Sequence, residues 1–275
     1  YYVVQRGEVT SSSIERPPPA AADRLYLVTA SGMKEFRPLY DALSSMSVYN
    51  ISPGQIREVQ PPDPGHLLAR DGRNIASVLG RLESELPDGV QQIKEYLSRI
   101  VPGLKDVERS AVASKETLLF RQDVKGASHP WKSYANSMSD GTLRALGVLV
   151  ALTQGADPKH PVPVVGVEEP EAALHPAGAA VLFEALRAAA ESTQVMVTSH
   201  SPDLLDSEDV SESELLAVTA ESGVTIIGPI SEVGRSALRD HLYTAGELLR
   251  MAQLEPDETA YGSAEQLDLF EPLRP

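Results

Sequence analysis

The first apolar clusters, "YYVVQRGEV" and "RLYLVTA", predict two strands separated by the proline-rich turn "ERPPPAAAD". "FRPLYDALSSM" predicts a short helix, and "ISPGQIREVQPPDPG", with four prolines, predicts a loop. The period then becomes helical. Ile75, Val78, Leu79 and Leu82 share one face, as do Val90, Ile93, Tyr96, Leu97 and Ile100. Pro87 and Gly89 divide this stretch into two helices, and Pro102 with Gly103 ends the second; the pair reads as a helical insertion. "VERSAVA" and "ETLLFRQDV" return to a strand pattern.

From Ser137 onward, apolar helices and strands alternate. "SDGTLRALGVLVALTQG" predicts a helix, "VPVVGV" a buried strand, "PAGAAVLFEALRAAAES" a second helix with Pro176 in its first turn, and "TQVMVTSH" another buried strand ending at His200. Neither strand alternates polar with apolar residues, the pattern of a parallel sheet covered on both faces. Ligands of open α/β sheets collect at the carboxyl ends of the strands. Glu168, Glu169 and His200 all fall there.

Composition narrows the classes. A chain of 275 residues, 42% of them hydrophobic, can bury a sizeable core. The absence of cysteine excludes disulfides and thiolate metal sites. No apolar run is long enough to span a bilayer, so a cytoplasmic protein without a membrane partner is expected. The formal net charge of −15 opposes nucleic acid on average; DNA remains a possible partner only through a local basic patch or another protein. The chain begins "YYVV" without methionine, and the expectation is that a preceding segment is missing.

Two adjacent carboxylates at a strand end suit magnesium–nucleotide chemistry. Magnesium takes hard oxygen ligands, commonly one carboxylate with phosphate oxygens and waters. A second carboxylate beside it can orient water for attack on a γ-phosphate. Two solvated glutamates ending a strand are the plainer interpretation. Similarly, Ser139 before a helix, with Gly141 permitting close approach, makes either an anion site at the helix N-terminus or an ordinary serine cap.

The order "SMSDGTL", "VVGVEEPE", "AALHP", "VMVTSHS" resembles the second half of an ABC-type ATPase head, closest to the RecF/SMC-like and OLD-like soluble ATPases. The clear resemblance covers residues 133–206, and "RDHLYTAGELLRMAQLEP" is similar to the C-terminal end of the same group. It implies an α/β ABC-type P-loop ATPase head, with a mostly parallel core sheet flanked by helices, extra antiparallel strands and a helical insertion. Its parts would be residues 1–46 (strands of the head), 47–104 (loop and insertion), 105–255 (head with the four motifs) and 256–275 (acidic tail). By the same resemblance Ser139, Asp140 and Gly141 are the signature that reaches the partner subunit's ATP. Glu168 is the Walker B magnesium ligand, Glu169 the catalytic glutamate, and His200 the switch histidine; Ala172–His175 form the D-loop, with His175 at the nucleotide or as a helix cap. ATP and Mg2+ are the implied cofactors. A homodimer is the implied assembly, with a nuclease or other effector as a further partner and DNA repair or anti-phage defence as the setting.

The chain departs from the family pattern in places. Walker B usually carries Asp where Glu168 stands, and His175 replaces a common Asp. No G-x-x-x-x-G-K-[ST] occurs. The near match "GASHPWKS" has Trp131 and Pro130 where backbone amides must face phosphate, so it reads as a decoy with a surface lysine and a core tryptophan. The phosphate loop is expected from a missing N-terminal segment or another chain. Gln55 and Gln60 are Q-loop candidates by position, and His66 and His241 read as structural or surface residues. A non-hydrolysing interaction module and a transporter ATPase subunit remain as alternatives.

Overall fold

In the first of two units, Tyr1–Ser199, the elements are β1 (Tyr2–Gln5), β2 (Glu8–Ser12), α1 (Tyr26–Ala30), α2 (Arg37–Ser44), β3 (Ser47–Tyr49), α3 (Pro53–Arg57), α4 (Ile75–Glu85) and α5 (Pro87–Ile100). They continue with β4 (Leu104–Val112), β5 (Lys115–Gln122), β6 (Trp131–Tyr134), α6 (Asp140–Gly155), β7 (Val164–Glu168), α7 (Pro176–Ala190) and β8 (Gln194–Thr198). The structure, a computed structural model, describes residues 1–21, 24–157, 159, 162–207, 209–221 and 223–257. The expected acidic tail lies almost wholly outside them.

The core sheet is parallel, in the order β3–β7–β8, with Val48 opposite Gly166 and Gly166 opposite Met196. Helix α6 packs on β7, α7 on β8, and α5 against both helices. A second, antiparallel sheet runs β4–β5–β6, and α4 lies against it. This is the α/β architecture with flanking helices and extra antiparallel strands that the sequence implied. The two insertion helices break at Leu86, where Pro87 begins α5 as its first residue.

Several local expectations are corrected. "YYVVQRGEV" is not one strand but a hairpin: Arg6 and Gly7, at φ 52° and 81°, form its two-residue turn. "RLYLVTA" is helical rather than extended, because Tyr26 and Ala30, four apart, are the buried pair, and Tyr2 stacks edge-on with Tyr26 at 4.5 Å. "ISPGQIR" is not all loop; Ser52 caps α3, and Pro53 and Ile56 bury its inner face. Residues 47–49, expected outside the head, supply a strand of its sheet. Trp131 is 62% exposed at the start of β6, not in the core. Strand β8 is not buried either. Met196 and Val197, on opposite faces, are 55% and 37% exposed, whereas Val165 and Val167 of β7 are sealed. Among the described residues β8 pairs on one side only, and its apolar side chains face solvent where a further element would cover them.

The second unit, His200–Pro275, contains α8 (Pro202–Leu205), the antiparallel pair β9 (Leu216–Glu221) and β10 (Val224–Pro229), α9 (Glu232–Arg239) and α10 (Ala245–Arg250). Its core gathers Ala217, Ile230, Leu238, Ala245 and Leu248. Thr244 and Glu247 form a capping box on α10, whose Arg250 bonds Asp206 at 2.6 Å and Asp203 at 3.1 Å. The Arg250 hydrogen bond holds the Asp206 carboxyl below its usual range, with Thr244 adding to the effect. A depressed carboxyl stabilises the fold above its unfolded pKa, about 3.9, and that contribution is lost as pH falls through the lower folded value. Asp206→Asn should therefore lower the thermal midpoint at pH 7, and the gap from wild type should shrink on acidification below about pH 4. Melts across that range decide it; a gap that stays constant would show that the charge does not contribute.

Candidate functional site at the carboxyl end of the parallel sheet

Strand β7 delivers Glu168 and Glu169 to the sheet's carboxyl edge, where both are exposed. The Glu168 side chain is held from the neighbouring strand: Asn50, the residue after β3, donates its amide Nδ2 to Glu168 Oε2 at 2.7 Å. The bond uses one carboxylate oxygen, and the Asn50 side chain also carries Oδ1, a hard oxygen donor. Sequence reading missed Asn50, because a contact across 118 residues has no local signature. Of the two Q-loop candidates, Gln60 donates its side-chain amide to the Gln55 backbone carbonyl at 2.6 Å and sits on a bridge to Glu116.

After Glu168 the chain turns sharply. Glu169 has φ 43° and Ala173 φ 65°, left-handed backbone at two residues that are not glycine. Such conformations cost of order 1–3 kcal/mol each and persist where surroundings impose them. Pro170 makes the constraint tighter, since a residue before proline prefers extended backbone. What holds Glu169 is its own amide, which donates to the Thr198 carbonyl at the end of β8 at 2.8 Å. Within the turn, Ala172 N–H reaches Glu169 O at 3.1 Å and Leu174 N–H reaches Glu171 O at 2.9 Å.

The turn leads into α7 through His175, whose Nδ1 accepts the Ala177 N–H at 3.2 Å. His175 is thus an N-cap, with that nitrogen committed to the helix. Ser139 caps α6 in the same way: its Oγ accepts from Thr142 N–H at 3.2 Å and lies 2.7 Å from Thr142 Oγ1. The N–H groups of Asp140 and Gly141 precede that of Leu143, the first to donate within the helix, to the Ser139 carbonyl, and carry the positive end of the helix dipole. Arg57 from α3 pins this loop, donating to the Met138 carbonyl at 2.8 Å and pairing with the Asp140 carboxylate. Sequence reading did not single out Arg57 either.

Gly141 has a second duty. A Cβ there would collide with the Ala173 carbonyl and crowd Leu174. The start of α6 and the turn after β7 therefore touch directly, and only a glycine permits it. His200 follows Ser199 in the chain, is exposed, and opens the second unit. Within the first unit the sheet brings Glu168, Glu169 and Asn50 to one edge, and the Gly141–Ala173 contact joins Ser139, Asp140 and Gly141 to the same turn. Among the described residues no group of three His, Cys, Asp or Glu side chains forms a metal cage. The oxygens of Glu168 and Asn50 nevertheless fit magnesium, which typically takes one or two protein carboxylates and completes its shell with phosphate and water.

The class so defined is an α/β domain with paired carboxylates and a capped helix N-terminus at the carboxyl end of a parallel sheet. The chain belongs to the family described as "AAA domain, putative AbiEii toxin, Type IV TA system", whose pattern matches residues 31–206. This agrees with the ATPase head recognised from its motifs. No curated protein matches the sequence. Among solved structures the chain is similar to a chain reported in a study of ATP-driven dimerization and DNA-stimulated activation of SMC ATPases (TM-score 0.42, 12% identity, covering 60% of this chain and 96% of that one). It is also similar to an Smc head bound to the C-winged helix domain of ScpA (TM-score 0.44, 12% identity, 64% and 52%). A third is the SMC head domain from Thermotoga maritima (TM-score 0.37, 17% identity, 57% and 52%). The chain thus spans about half the length of the latter two. No helix among the described residues is long and apolar enough to cross a membrane.

Replacing Gly141 by Ala should destabilise the first unit by about 1–3 kcal/mol, the usual cost of forcing an extra methyl into a packed contact. Denaturant unfolding of wild type and variant measures the difference. Equal midpoints would mean that the turn at Ala173 yields without cost.

Proposed function

We propose that this chain forms part of a Mg-dependent ATPase that works as a head-to-head dimer, a cytoplasmic conformational switch. The observation that carries the reading is the Glu168–Glu169 pair at the carboxyl end of β7, with Asn50 bonded to Glu168, in a chain of an AAA-domain family. Glu168 and the Asn50 carbonyl would hold magnesium, which supplies charge neutralisation of the phosphates when bound. Glu169, on its constrained backbone, would orient water for in-line attack. Ser139, Asp140 and Gly141 present a helix N-terminus to the nucleotide of the opposite subunit. Asp140 would repel that phosphate, and its pairing with Arg57 offsets the repulsion. His200 is assigned the γ-phosphate by its place in the motif order. The Nδ1 cap bond of His175 favours a structural role for that residue over a nucleotide contact.

The phosphate-cradling loop is absent from these 275 residues. The open edge of β8, apolar on both faces, supports the view that a further strand and helix join there. A strand added in parallel would end beside Thr198, one strand away from Glu168, at the carboxyl end where a phosphate loop is needed. The biological output is proposed as defence rather than repair, since the family description names a toxin of a type IV toxin–antitoxin system. An effector such as a nuclease would read the switch.

In an assembly that supplies the phosphate loop, Glu169→Gln should lower turnover by about 10²–10⁴-fold while ATP binding persists. Mixing Glu169→Gln with Ser139→Arg subunits should restore activity, because one composite site of the mixed dimer is intact. Normal hydrolysis by Glu169→Gln would remove Glu169 from the chemistry. No recovery on mixing, with subunit exchange confirmed, would oppose independent trans sites.

The 275-residue chain alone should bind Mg–ATP with a dissociation constant weaker than about 1 mM, a free energy smaller than roughly 4 kcal/mol. It lacks the amide cradle and lysine that supply most triphosphate affinity. Calorimetric titration tests this; micromolar affinity would reveal a nucleotide site other than the one described.

A further inference from the structure

Glu171 is the one carboxylate of the "EEPE" run that the proposed chemistry leaves unused. It is 6% exposed, whereas Glu168 and Glu169 face solvent. Its Oε1 accepts the hydroxyl of Ser199 at 2.5 Å, and its Oε2 is buried with no hydrogen-bond partner among the described residues. A buried carboxylate with one oxygen unsatisfied is expensive, and an apolar residue of similar size would serve packing better. Its partner shows what it is kept for. Ser199 is adjacent to Thr198, whose carbonyl holds the Glu169 amide. The turn after β7 is therefore fastened to the end of β8 at two points. One is the backbone of Glu169 on Thr198, and the other is the side chain of Glu171 on Ser199.

We infer that the Glu171–Ser199 hydrogen bond is a latch that keeps Glu169 in its left-handed conformation, making Glu171 a positioning residue. The Glu169–Thr198 backbone bond opposes both a positive φ and the preference imposed by Pro170. The buried side-chain bond, two residues further on, prevents the turn from relaxing toward extended backbone. It also ties Ser199, the last residue of the first unit, to the turn that carries Glu169. The catalytic consequence rests on the ATPase reading above; the latch itself does not.

The test has an arm for each. Amide hydrogen exchange is followed on the full 275-residue chain at Glu169, with α5 and α6 as internal references. Glu171→Ala and Ser199→Ala should each speed exchange at Glu169 by about tenfold or more while the reference helices are unchanged. Glu171→Gln keeps the acceptor oxygen and should leave the protection close to wild type. It also keeps the test open should Glu171→Ala not fold. Unchanged protection at Glu169 in the folded alanine variants overturns the latch, as does loss of protection in Glu171→Gln equal to that in alanine. In the assembly that hydrolyses ATP, Glu171→Ala and Ser199→Ala should lower kcat by about 10–100-fold with KM within about twofold. The double variant should be no slower than either single one. Altered exchange with wild-type kcat overturns the positioning role. A wild-type assembly without ATP turnover defeats the ATPase reading, and the exchange experiment still judges the latch.

Discussion

The amide of Glu169 donates to the carbonyl of Thr198, and the geometry of the whole carboxyl edge follows from that bond. It joins the ends of two parallel strands at the point where one of them must turn away. Because the donor belongs to a residue at φ 43° that precedes a proline, the turn can take only a narrow set of conformations. Ala173, left-handed in its turn, then presents its carbonyl to the bare Cα of Gly141. The start of α6 is thereby placed against the loop that begins at Glu169. Strain at one residue, a glycine on another element and a cap at Ser139 are parts of one packing problem.

Two of the carboxylates at this edge are bonded by neutral groups. Glu168 is bonded by the neutral amide of Asn50, and Glu171 by the hydroxyl of Ser199; neither bond cancels a charge. At the start of α6, Arg57 is paired with Asp140. On a chain of net charge −15, such an edge gains from a divalent cation and disfavours a bare polyphosphate. In the proposed ATPase, the nucleotide would arrive as its magnesium complex, with a separate loop supplying positive and amide contacts.

Strand β8 gives the same conclusion from packing. Parallel strands are ordinarily sealed on both faces, as Val165 and Val167 of β7 are. Met196 and Val197 are as apolar in sequence but lie at an edge with solvent on both sides. An exposed edge of this composition invites pairing. On the proposed reading, the element that seals it would also bring the phosphate loop to the same carboxyl end of the sheet.

Residues alone were sufficient for the elements whose signals are local. Pro87 in the first turn of α5, Ser139 before α6 and Pro176 after His175 marked helix starts that the structure keeps. The order of the four motifs was sufficient for the family. Propensity misled where a distant partner outweighed it: "RLYLVTA" became a helix when the ring of Tyr2 packed on Tyr26, and Trp131 stayed outside because β6 is the last strand of its sheet. The same distance effect hid Asn50 from Glu168, Arg57 from Asp140 and Glu171 from Ser199, contacts spanning 118, 83 and 28 residues. A motif reports what a short stretch can do by itself. Which side chain steadies another is set by where parallel strands end, and only the folded sheet brings those ends together.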